Sequence, residues 1–81
     1  MAVTERSKMS PQDESIWFKV RIELKITPET ADFYKDLKID VQRGLVTLSG
    51  EVPAEDAMHA AERAALRVQG VTGVQNQLKV K

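Results

Sequence analysis

An α+β fold is what this 81-residue chain predicts: a two-layer αββαβ sandwich, with both helices on one face of a three-stranded mixed sheet. Three observations carry that expectation. Residues 36–50, DLKIDVQRGLVTLSG, alternate apolar and polar side chains on either side of Arg43-Gly44, as a hairpin with one buried and one wet face would. Ile16, Val20 and Leu24 recur at four-residue spacing, marking the buried stripe of a helix. Ala57, Ala61, Ala64, Ala65 and Val68 share one face of a second helix, and Val74, Leu78 and Val80 then alternate with Gln75, Gln77 and Lys79 in a last strand.

Each element has its own local cause. Residues 1–9 are polar and unpatterned and read as a disordered tail, leaving one domain over 10–81. Ser10 caps the first helix, Pro11 suits its first turn, and Asp13 and Glu14 oppose the positive end of its dipole. Lys19 and Glu23 are spaced to pair across one turn, and Thr27-Pro28 stops the helix. Ile39 and Val41, then Val46 and Leu48, set the register of the hairpin. Arginine suits the first position of a type I′ turn poorly, so the expected connection is a type I turn with Gly44 left-handed in a bulge. Pro53, Glu55 and Asp56 begin the second helix and Gly70 ends it. Its alanines let it sit close to the sheet.

Composition removes several function classes. The chain has no cysteine, so disulfides and thiolate chemistry are excluded. Twelve basic residues balance twelve acidic ones, leaving no global field for nucleic acid or an anionic surface. No apolar run approaches the roughly 20 residues that span a bilayer. Residues 1–14, MAVTERSKMSPQDE, lack the apolar core of a secretory signal. The expected location is cytoplasmic, or periplasmic if the chain is a fragment of an exported protein.

The helix pattern, IDVQRGLVTLSGEV at residues 39–52, Ala61, Ala64 and Ala65, and GVTGVQNQLKV at residues 70–80 together resemble the BON domain. This is a small module of bacterial envelope and osmotic-stress proteins. The resemblance covers about residues 13–81, with Gly70, Val71, Val74, Asn76 and Leu78 in the family's places. It implies a non-enzymatic module that binds phospholipids or other hydrophobic ligands and helps attach proteins to membranes, with no catalytic residues and no cofactor. Family members often occur as tandem copies behind a signal peptide. This chain carries one copy, and a longer loop between Leu24 and Ile39.

Trp17, Phe18 and Ile22 flank the main stripe of the first helix, and Phe33 and Tyr34 stand in that longer loop. One reading makes these five an apolar-aromatic patch for a phospholipid membrane surface, a hydrophobic ligand, or a second subunit. The other makes them an extension of a core that a small domain needs. Met58 and Leu66, eight residues apart, lie beside the alanine stripe and read as ordinary surface hydrophobes. His59 has only Glu55 one turn away, which is too little for a metal centre or for catalysis.

Residues 70–73, GVTG, match the G-x-x-G loop of KH domains. They join a helix to a strand without a basic cluster, so the match reads as a helix stop and no nucleic-acid partner is expected. Asn76 falls on the inward phase of the last strand and should be hydrogen-bonded there for structural reasons. Two functions follow as expectations. One is a binding module for membrane surfaces or hydrophobic ligands. The other is a protein-interaction or homodimerisation module within an envelope assembly.

Overall fold

In the computed structural model, residues 9–81 are described, so the expected tail lies outside the described residues except for Met9. Met9 is half-buried and packs against the core. Helix α1 spans Pro11–Ile26 and a single 3₁₀ turn spans Tyr34–Asp36. Strands β1 and β2 span Lys38–Gln42 and Leu45–Val52, helix α2 spans Glu55–Leu66, and β3 spans Gly73–Val80. The strand order is β1-β2-β3, with β1 antiparallel and β3 parallel to the central β2. The fold is therefore the predicted one: two helices over a three-stranded mixed sheet.

The hairpin register pairs Ile39 with Leu48 and Val41 with Val46, and all four side chains are buried. They meet Ile16, Val20 and Leu24 of α1 and Ala57, Ala61, Ala64 and Ala65 of α2 in one cluster. Leu37, just before β1, joins this core and lies over Gly50. A Cβ on Gly50 would stand 3.2 Å from the Leu37 side chain, so the bare backbone there makes room for it.

The turn differs from the sequence expectation. Arg43 has φ 53° and Gly44 φ 83°, so both central residues are left-handed and the turn is type I′ rather than type I with a bulge. Gln42 pairs directly with Leu45, which leaves only two residues in the loop. What overrides the reluctance of arginine is a distant carboxylate. Asp13 Oδ2 accepts from the Arg43 N–H at 2.9 Å, and Oδ1 accepts from the Gly44 N–H at 3.1 Å. Two adjacent left-handed residues aim their N–H groups into one concavity that suits an anion. Here the chain fills it with its own side chain. Gly44 is required for a second reason: a Cβ would come within 2.7 Å of the Gly70 carbonyl.

Asp13 is held by the start of α1. Ser10 caps that helix, its hydroxyl accepting from the Asp13 N–H at 3.1 Å. At the far end Thr27 terminates α1, its N–H and hydroxyl both donating to the Glu23 carbonyl. The buried Thr30 hydroxyl donates to the Leu24 carbonyl at 2.5 Å and folds the following loop back over the helix end. Glu23 does not pair with Lys19 as its spacing suggests. It turns toward the C-terminal end of α2, 3.8 Å from the capping residue Arg67.

Because a two-residue hairpin loop is flanked by a hydrogen-bonded pair, Ile39 and Val41 direct their main-chain groups away from β2. The Ile39 carbonyl on that open edge accepts from Trp17 Nε1 at 3.0 Å. By the same parity, the even-numbered residues of β3 direct theirs away from β2, in keeping with the bond from the Lys81 N–H to the Val52 carbonyl at 2.9 Å. The outward Leu78 N–H donates to Asn76 Oδ1 at 3.2 Å. Asn76 Nδ2 in turn donates to the Met58 carbonyl of α2 at 3.0 Å and to Glu62 Oε1 at 3.2 Å. The amide expected to be structural thus ties β3 to α2.

Candidate functional site

The five residues singled out in the sequence do not share one environment. Trp17, Phe33 and Tyr34 are half-buried and pack against the core. The indole of Trp17 is fixed by its bond to the β1 edge, and the 3₁₀ turn holds Tyr34 through the Leu37 N–H, which donates to the Tyr34 carbonyl at 3.3 Å. Phe18 and Ile22 are exposed, at 43% and 54%. The Phe18 ring meets Trp17 edge-on with centroids 5.1 Å apart, so a half-buried neighbour braces an exposed ring.

Ile26, 64% exposed, was not among the sequence candidates. Its signal was present: Phe18, Ile22 and Ile26 repeat at the same four-residue spacing as the buried stripe, displaced by two positions. Two positions on an α-helix are a rotation of about 200°. The outer row therefore lies on the far side of α1 from Ile16, Val20 and Leu24. The helix is apolar on two opposite faces, and only one faces the core.

Charged residues border the outer row. Lys19 lies on one side, and Lys25 and Arg21 lie on the other. Between Phe18 and Ile26 there are three cations, Lys19, Arg21 and Lys25, against one anion, Glu23, a local net charge of 3 − 1 = +2. Glu23 points away toward Arg67. The Arg21 guanidinium stands 5.8 Å from the centroid of the Trp17 ring and 5.5 Å from that of Tyr34, within cation–π range of both. A shallow hollow lined by Met9, Pro11, Glu14, Ser15, Phe18 and Lys19 lies beside the row toward the helix start.

The model of the BON domain family matches residues 12–81. The chain belongs to the BON domain family. BON domains are generally non-catalytic binding modules, and this chain accordingly has the architecture of a binding module. No curated relative matches it. The remaining sequence candidates are scattered: Met58 is half-buried against the core, Leu66 is exposed, and His59 is exposed on α2. Among the described residues no group of three or more His, Cys, Asp or Glu could hold a metal, and no helix is long and apolar enough to cross a membrane. The outward face of the sheet carries Asp40, Gln42, Thr47, Ser49, Gln75, Gln77 and Lys79, with Thr47 Oγ1 donating to Gln75 Oε1 at 3.3 Å. Apart from Leu45 beside the turn, that face is polar and has no aromatic ring on which a base could stack.

Proposed function

We propose that this BON domain is a non-enzymatic module that docks on phospholipid membrane surfaces through the outer row of α1. The observation that carries the reading is the row itself: Phe18, Ile22 and Ile26 exposed in line, opposite the buried stripe, with cations on both borders. A surface of this kind lies in the plane of a bilayer interface, its apolar side chains at the acyl boundary and its cations among anionic headgroups. Full burial of a side chain such as Ile22 is worth about 1.5–3 kcal/mol, and each cation near an anionic leaflet adds about 1 kcal/mol. Three partly inserted side chains and a local charge of +2 give weak, reversible attachment. Behind the row, Trp17 meets Phe18 edge-on, and Trp17, Phe33 and Tyr34 pack against the core.

Co-sedimentation with vesicles of phosphatidylglycerol and phosphatidylcholine tests this. Wild type should pellet with the vesicles, and Ile22→Asp, which changes an exposed residue, should bind at least tenfold more weakly while keeping its circular dichroism spectrum. Equal binding by the two proteins would sink the reading. Sedimentation against protein concentration covers the homodimer alternative: self-association abolished by Ile22→Asp, without vesicle binding, would make the row a subunit contact.

A further inference from the structure

Resting on the membrane reading, we infer that Arg21 is a phosphate-recognition residue, its guanidinium pre-oriented between Trp17 and Tyr34 to grip the phosphodiester of a lipid headgroup at the border of the apolar row.

The two ring centroids lie 5.8 and 5.5 Å from the guanidinium carbon, so aromatic surfaces on two elements contact the same cation. Neither ring is free to wander. Trp17 is pinned by its indole N–H to the Ile39 carbonyl, and Tyr34 is set in the 3₁₀ turn and packed on the core. An arginine held by ring contacts keeps the donors in its own plane available, and their fork matches two oxygens of a phosphate. No carboxylate takes those donors: among the described residues the ion pair of an arginine with a carboxylate is that of Arg67 with Glu23. Arg21 stays solvent-exposed. Lys25 follows one turn later on the same border of the row, placed to add a second positive charge to the same headgroup. The ordering that an unrestrained arginine would undergo on binding is largely complete beforehand, which raises affinity without added contacts.

The test compares wild type with Arg21→Lys, which keeps the charge and removes the fork. Two vesicle types of equal negative charge are used in a phosphate-free galactolipid background, one charged by phosphatidylglycerol and the other by oleate. Arg21→Lys should lose five- to tenfold in affinity for the phosphatidylglycerol vesicles and bind the oleate vesicles unchanged. Equal losses on both would mean that the fork takes a carboxylate as readily as a phosphate, and unchanged binding to both would make Arg21 a generic charge; either overturns the inference. Inorganic phosphate, followed through the fluorescence of Trp17, separates this proposal from the membrane reading. If wild type binds no vesicle but its fluorescence responds to phosphate and that of Arg21→Lys does not, the phosphate grip stands with a soluble ligand and the membrane reading fails. Silence toward both vesicles and phosphate overturns both.

Discussion

Replacing Asp13 by asparagine removes a negative charge and little volume, and it should be among the more damaging single changes in this domain. The wild-type carboxylate accepts from two backbone N–H groups, at 2.9 and 3.1 Å, in a turn where the residue before it and the one after are already paired with each other. Hydrogen bonds to a charged partner contribute about 1.5–3 kcal/mol each. Asparagine keeps one oxygen, whose neutral bond contributes about 1 kcal/mol, and turns an NH₂ against the other backbone N–H. It also removes a negative charge from the first turn of α1, worth about 0.3–1 kcal/mol. The net loss is about 2–6 kcal/mol. In a domain of this size each kcal/mol shifts the melting temperature by about 4–8 °C, so a fall of at least about 10 °C is expected. Calorimetry gives the melting temperature, and amide exchange at Gly44, which is buried, should accelerate with it. A variant within about 0.5 kcal/mol of wild type would refute the idea that this carboxylate locks the turn.

The same turn yields a change in the opposite sense. Arg43→Asn keeps the N–H that Asp13 accepts and eases a φ of 53°, so it should stabilise the domain by about 0.5–1 kcal/mol, read as a higher urea midpoint at unchanged slope. No gain would mean that the left-handed arginine carries no strain. Asn76→Ala removes three hydrogen bonds that join β3 to α2 and to its own edge, with an expected cost of about 2 kcal/mol. If chemical denaturation finds less than about 0.5 kcal/mol, the amide is not the fastening described above.

Where packing obeys a short period, the fold was legible in the sequence. Ile39, Val41, Val46 and Leu48 are buried because alternation alone decides which side of a strand faces the helices. Leu37 stands just outside β1, and its role depends on the space above Gly50, thirteen residues away. The turn departs from its local preference for a related reason: that preference disfavours arginine there, and the carboxylate that reverses the balance comes from another element thirty residues earlier. Phe18 and Ile22 were visible as outliers beside the main stripe. Extending the same spacing by one turn would have added Ile26. The division of the aromatics could not be read locally, since Trp17 is drawn inward by a carbonyl on β1 and Tyr34 by the 3₁₀ turn.

The two side-chain bonds at the margins of the sheet bear on how this molecule meets its own copies. A three-stranded ribbon with eight residues along one rim is a ready template for growth into fibres. Trp17 occupies an acceptor on the first rim and Asn76 a donor on the last, so an incoming strand would have to displace an anchored side chain at either margin before it could zip. Both margins of the ribbon are therefore guarded by a side chain fixed at one point, which hinders growth by strand addition.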